Sequence, residues 1–354
     1  MKNTKSHYHG CLIGGAIGDA FGAPVEFMSY EKITMKYGQE GLKGLTLPLE
    51  GNKAYITDDT QLTLFTAEGL LRSITREQKR GIKREINDTT AFVYRAYLRW
   101  LYTQGLKTPV WDQTDYDGWL MKIKALYAYR EPGVTCITTL GKGIMGTIDK
   151  PLNDSKSCGA VMRVAPVGLI EKEEDVFDVA SSIAAITHGH RTGYLAAGTF
   201  ASVIYYIIEG NSLGDAIDKA IDQLKEKEGH EECLKAITKA INLAKSHQKP
   251  SYETVSQLGY GFSSEEALAI GIYCSLVCED DFKNAITLAV NHDGDSDSTG
   301  AITGNILGAY LGIEKIDKNL IDFVELSEEI KELAYDLYNR YEDSEGWHEK
   351  YPCW

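Results

Sequence analysis

The sequence predicts an all-α protein, and three observations carry that expectation. No stretch sustains the period-two alternation of a half-buried strand. Apolar residues recur instead at helical spacing in one segment after another. Two segments place glycine at every fourth position: Gly10, Gly14, Gly18 and Gly22 near the start, and Gly300, Gly304, Gly308 and Gly312 near the end. That spacing puts the glycines on one helix face. The chain has 354 residues, of which 43% are apolar, with no repeat period and no low-complexity linker. A single multi-helix domain over residues 1–354 is expected.

Residues 9–23 form the first expected helix. Each interior glycine costs up to about 1 kcal/mol against alanine, so the stripe requires a compensating gain. Close packing against the second glycine-striped helix supplies one. An antiparallel crossing would bring Asp19 and Glu26 near Asp295 and Asp297. Those two acids and the diluting glycines also argue against a membrane span over residues 10–28. Residues 30–56 read as irregular, with four glycines and Pro48. A helix begins at Thr57, a capping residue, with Asp58 and Asp59 in its first turn and Leu62, Phe65, Leu70 and Leu71 on its apolar face.

Residues 73–90 are charged and read as surface. Helices are expected over 89–103 and 119–130, flanking a polar loop at 105–118 that contains Trp111. A turn at Pro132 and Gly133 precedes a short helix. Residues 151–168 join a polar loop to an abrupt helix start, where Ser155, Ser157 and Gly159 are placed to offer hydroxyls and backbone N–H groups to an anion; an ordinary cap is the plainer reading. Helices follow over 174–188 and 191–208, with His188 and His190 at their junction, suited to capping or to a ligand. Two amphipathic helices span 212–247, two apolar ones span 263–277 and 280–291, and a final helix covers 326–341.

The net charge of −14 argues against a general nucleic-acid or anionic-membrane surface. Seven cysteines without zinc-type spacing suit reduced thiols in a cytoplasm. The chemistry concentrates in two acidic helix starts, Thr57–Asp59 and Asp293–Thr299. N-capping explains one acid or hydroxyl at such a start. The second run holds three aspartates and three hydroxyls, hard oxygen donors that suit Mg²⁺, Mn²⁺ or Ca²⁺. It is not an EF-hand, because the closing bidentate glutamate is missing. If the clusters meet, Asp58, Asp59, Asp295 and Asp297 carry the charge that two divalent cations would balance. Uncompensated, they would repel and raise one another's pKa values.

Four stretches resemble the ADP-ribosylglycohydrolase family: GCLIGGAIGDAFGAPVEF at 10–27, TDDTQ at 57–61, CGAVMRVAP at 158–166 and GDSDSTGAITGNILGAYLG at 294–312. They span almost the whole chain in the family's order. The resemblance implies a helical fold with a binuclear Mg²⁺ or Mn²⁺ centre held by Thr57, Asp58, Asp59, Asp295, Asp297 and Ser298. It implies that Glu26 approaches metal or substrate, and that the segment of Ser155, Ser157 and Gly159, leading into Met162, holds the ADP-ribose phosphates. His188 falls near the ligand, and Asp58 and Glu26 are the candidate acid–base groups. Cys158 departs from the pattern, since relatives often carry Asn there. The implied reaction is hydrolysis of the α-N-glycosidic bond of ADP-ribosylarginine, free or on a protein, releasing ADP-ribose. Cleavage of an O-linked ADP-ribose, on serine or O-acetyl, and a non-catalytic role like that of related lens crystallins are the alternatives.

Overall fold

A computed structural model describes residues 4–48, 52–107, 109, 116–130, 132–246 and 249–353. Its helices in chain order are α1 (Lys5–Gly22), α2 (Tyr30–Tyr37), α3 (Asp58–Arg80), α4 (Ile86–Thr103), α5 (Val134–Leu140), α6 (Ala165–Ile170), α7 (Glu173–Ala185), α8 (Arg191–Ile208), α9 (Leu213–Lys225), α10 (Glu231–Lys245), α11 (Tyr252–Val255), α12 (Ser264–Val277), α13 (Phe282–Val290), α14 (Ser296–Leu311), α15 (Lys318–Phe323), α16 (Ser327–Asn339) and α17 (Glu345–Lys350). Among the described residues there is no strand, only two isolated bridges. The all-α expectation holds.

The glycine stripes meet. A Cβ on Gly10 would lie 2.2 Å from the carbonyl oxygen of Gly308, one on Gly14 2.2 Å from that of Gly304, and one on Gly18 2.0 Å from that of Gly300. Partner numbers fall as α1 numbers rise, so α1 and α14 cross antiparallel, backbone on backbone. The register extends to Gly22, which faces Ser296. At the other end the register reaches Gly312, which ends α14 with φ of +81° and stands against Ser6 of α1, its Cβ position 2.5 Å from the Ser6 hydroxyl. The Asn305 side chain donates to the Cys11 carbonyl (2.8 Å) and pins the register. Both helices are buried over almost their whole length. No single described helix is long and apolar enough to cross a membrane; α1 passes by length and composition only together with α2, bent from it by 91°.

Several boundaries differ from the sequence reading. Residues 30–37, read as irregular, form α2, which buries only Ile33 and so shows little periodicity. Residues 73–80 continue α3, and Ser73, Ile74 and Thr75 are buried, not surface. Trp347 of the C-terminal tail covers that turn and donates to Thr75 Oγ1 (2.9 Å). The expected helix at 119–130 is two 3₁₀ turns, Leu120–Lys122 and Lys124–Tyr127. The helix start at 158 is a three-residue 3₁₀ turn, Cys158–Ala160, with α6 beginning only at Ala165, where Pro166 suits a first turn. The helix expected over 326–341 is not the last, since α17 follows it. Trp111 lies outside the described residues.

Candidate metal and substrate site

The close crossing of α1 and α14 delivers the start of α14 to the start of α3. Asp19, fully buried on α1, joins them: its carboxylate accepts from the Thr57 N–H (3.0 Å), the Thr60 N–H (3.2 Å) and the Thr60 hydroxyl. Thr57 caps α3 by accepting from the Asp59 N–H (3.3 Å). Asp295 caps α14, and the Ser298 N–H donates to both Asp295 (3.3 Å) and Asp297 (2.9 Å). Gly294 precedes this cap at φ +128°, with the Tyr260 carbonyl oxygen 2.0 Å from where a Cβ would stand. Only glycine fits there.

Asp58, Asp59, Asp295, Asp297, Ser298 and Glu26 line one cavity of about 290 Å³. Carboxylate oxygens of Glu26, Asp295 and Asp297 all lie within 4.8 Å of one another. Burial, reinforced by the neighbouring acids Asp19 and Asp295 and opposed by the Gly133 N–H, pushes the Asp58 carboxyl up to about 7. Burial and then Asp58, Asp19 and Asp295 hold Asp59 well above the carboxylate range; burial and then Asp59, Asp295 and Glu26 do the same for Asp297. One Asp59 oxygen is buried with no hydrogen-bond partner. Converging acids and an orphaned buried oxygen fit a bound cation.

The same acids set a pH dependence. Asp19, at about 6 by burial, and Asp58, at about 7, are harder to ionise folded than unfolded, where 3.8 is usual. The folded state therefore holds more protons than the unfolded chain within that window. This contribution to stability is fully present below the unfolded value and is lost as pH rises through the folded ones. Chelator-treated protein should melt a few degrees lower at pH 8 than at pH 6, and the rise in Tm produced by added Mg²⁺ should be larger at pH 8. A chelated protein whose Tm climbs over that range would contradict this account.

The remaining predicted residues divide. Ser157, Gly159, Met162 and His188 line the cavity with the acids. Thr57 opens onto a neighbouring cavity of about 440 Å³, which shares Glu26 and Phe27 with the first. Ser155 stands behind Ser157 and donates to its hydroxyl (3.3 Å). Several backbone donors of this segment are engaged within the protein: the Ser155 N–H goes to Asn153 Oδ1 (3.0 Å), the Ser157 N–H to Ser155 Oγ (3.4 Å), the Cys158 N–H to the Phe262 carbonyl (3.0 Å) and the Ala160 N–H to that of Ser157 (3.1 Å). The loop offers hydroxyls. His190 caps α8 by accepting from the Thr192 N–H (3.2 Å), while His188 alone of the two faces the cavity. Asp293 binds the Tyr30 N–H and the Tyr252 hydroxyl (2.8 Å), away from the other acids.

Sequence reasoning missed the wall formed by Gly133, Thr135 and Cys136, and the aromatic rim of Phe27 and Phe262. Phe27 sits at φ +56°, its N–H bonded to the Gly294 carbonyl (2.8 Å), and its ring lies 5.8 Å from that of Phe262. Nothing local marks these residues, which converge from distant segments. Cys158 did carry a signal, as the departure in its motif: its thiol donates to Asp295 Oδ2 (2.8 Å), taking a position against a carboxylate of the cluster.

Fold and cavity together define a helical protein with a buried acidic site suited to a cation and an adjoining pocket of hydroxyls, imidazole and aromatic rings. Residues 1–346 match the family model described as ADP-ribosylglycohydrolase. The chain belongs to the ADP-ribosylglycohydrolase family. It is 28% identical over 338 residues to an uncharacterized protein of Archaeoglobus fulgidus, covering 94% of this chain and 96% of that one. It is 24% identical to the ADP-ribosyl-[dinitrogen reductase] glycohydrolase of Rhodospirillum rubrum, covering 90% of each. To the ADP-ribosylarginine hydrolase Tri1 of Serratia proteamaculans it is 25% identical, covering 93% of this chain and 78% of the other. A solved structure titled ADP-ribosylglycohydrolase-related protein complex shares the fold, with a TM-score of 0.58 at 24% identity over 96% of this chain and 99% of that one.

Proposed function

We propose that this protein removes ADP-ribose from modified arginine side chains by hydrolysing the α-N-glycosidic bond. The observation that carries the reading is the meeting of Asp58 and Asp59 with Asp295, Asp297 and Glu26 in the cavity that Ser157 and His188 also line. The names of the Serratia and Rhodospirillum relatives support it, the first by its arginine-linked substrate.

Thr57, Asp58, Asp59, Asp295, Asp297 and Ser298 would hold two divalent cations, Mg²⁺ or Mn²⁺, which would supply charge stabilisation and a template for the hydroxyls of the distal ribose. Asp58 and Glu26 are the carboxylates set to take a proton from water. Asp58 has its own N–H partner at Gly133 (3.0 Å), which holds one carboxylate oxygen and leaves the other for the cavity. The Ser157 hydroxyl faces the diphosphate, and the Phe27 and Phe262 rings give the ligand an apolar rim. The water oxygen bonds to the anomeric carbon as the C–N bond breaks, and the proton the carboxylate took from water passes to the departing guanidine.

The test is release of free ADP-ribose by purified protein with Mg²⁺, from ADP-ribosylarginine and from a serine-linked peptide in parallel. Turnover on the arginine conjugate at least about tenfold above the serine one, a difference of about 1.4 kcal/mol in barrier, is expected. The reverse preference would move the assignment to O-linked ADP-ribose, and no turnover of either would reject catalysis.

A further inference from the structure

We propose that Arg163 is a positioning residue: through Thr187 and His188 it presents the Ser157 hydroxyl to the cavity as a hydrogen-bond donor for an anionic oxygen of the ligand. Naming that oxygen as part of the ADP-ribose diphosphate rests on the functional reading above.

Arg163 is fully buried. Its guanidinium lies over the Tyr97 ring (4.4 Å), Nη1 donates to Cys136 Sγ (3.2 Å) and Nη2 to Thr187 Oγ1 (2.6 Å). Its Nε is buried without a partner. No carboxylate is paired with it among the described residues. Burying a cation this way is costly, and packing alone would be served better by an apolar side chain. The guanidinium does have one property no apolar residue supplies: it donates and never accepts.

That property propagates. Thr187 Oγ1 accepts from Arg163, so its own hydrogen goes to an acceptor within reach. His188 Nδ1 stands at 2.8 Å. The competing acceptor, the Cys136 sulfur, is weak and already receives Arg163. His188 is neutral, because burial and then the Arg163 charge hold its pKa well below the usual value. A neutral imidazole that accepts at Nδ1 carries its hydrogen on Nε2. Nε2 therefore donates to Ser157 Oγ (2.9 Å). The Ser155 hydroxyl donates to the same oxygen (3.3 Å). With both lone pairs of Ser157 Oγ engaged, its hydrogen is left for the cavity.

Opposite polarity would be self-defeating. If Nδ1 carried the hydrogen, Ser157 would donate to Nε2 and turn lone pairs toward the ligand, repelling an anionic oxygen. Two of the neighbouring backbone N–H groups, those of Cys158 and Ala160, are already spent on carbonyls and cannot replace the lost hydroxyl donor. Gly159 keeps the imidazole in place, since a Cβ there would lie 3.0 Å from the ring.

Arg163 variants risk unfolding, so the test uses Thr187. Side-chain ¹⁵N–¹H spectra of the ligand-free protein, with His188 assigned by its loss in His188→Asn, should show the Nε2–H tautomer. Thr187→Val should mix the tautomers and weaken ADP-ribose binding to the Mg²⁺-loaded protein about tenfold by calorimetry; Thr187→Ser should restore both. An Nδ1–H tautomer in the wild type, or a folded Thr187→Val protein binding ADP-ribose within twofold of wild type, would overturn the relay. A wild type with the Nε2–H tautomer that binds no ADP-ribose would uphold the polarity of the relay and reject the ADP-ribose reading on its own.

Discussion

Asp297→Ala is expected to lower ADP-ribose release from ADP-ribosylarginine by about 10³-fold or more, while the protein stays folded. Asp297 lies in the first turn of α14, 3% exposed, with a carboxylate oxygen within 4.8 Å of those of Glu26 and Asp295. Its carboxyl is held up by burial and by Asp59, Asp295 and Glu26, so without a cation it is a source of repulsion. Removing it should leave chelated protein as stable as wild type or more so. The same change should abolish the Tm rise on adding Mg²⁺ and weaken Mn²⁺ binding by calorimetry. Loss of activity with unchanged Mn²⁺ binding would reassign Asp297 from ligand to acid–base group; undiminished turnover would remove it from the site.

Gly304→Ala is expected to cost more than about 4 kcal/mol, a loss reserved for a few severe mechanisms, and in the extreme to prevent folding. The added Cβ would stand 1.9 Å from the Gly14 carbonyl oxygen and 2.5 Å from its carbon. Both are backbone atoms of a buried helix, so no side chain can turn aside. Separation of α1 and α14 would also draw Asp295 and Asp297 away from Asp58 and Asp59, so activity should fall even in molecules that fold. Gly214→Ala on α9 is the control. Nothing lies within 4 Å of its Cβ position, and the change should stabilise by up to about 1 kcal/mol. Urea denaturation of the two variants measures the contrast; equal midpoints would refute the close-packing account.

Much of this was legible in the residues. The glycine stripes announced both helices and their mutual packing, because four-residue spacing makes one bare face whatever surrounds it. Thr57–Asp59 and Asp295–Ser298 announced two acidic helix starts, because capping chemistry is local. Helix α2 escaped notice because it buries Ile33 alone, and α17 because its anchoring residue, Trp347, packs on Thr75 far away in the chain. At 119–130 the apolar pattern suggested an α-helix where two 3₁₀ turns stand. In the loop at 155–159, Ser157 and Gly159 line the cavity and Ser155 does not. The engagement of the Cys158 N–H was not legible, because the Phe262 carbonyl that accepts it comes from a segment about a hundred residues on.

By itself, then, the sequence determined the helical class, the two acidic starts and the bare faces that let them meet, all properties of short-range spacing and side-chain chemistry. Tertiary structure alone decided which oxygens share a cavity and that burial lifts the carboxyls of Asp58, Asp59 and Asp297. It alone placed Thr57 on the border of the second cavity, put Ser155 behind Ser157, and linked Arg163 to the cavity wall through Thr187 and His188. Those outcomes depend on desolvation and on hydrogen-bond direction between segments distant in the chain, and neither is a property of any single stretch.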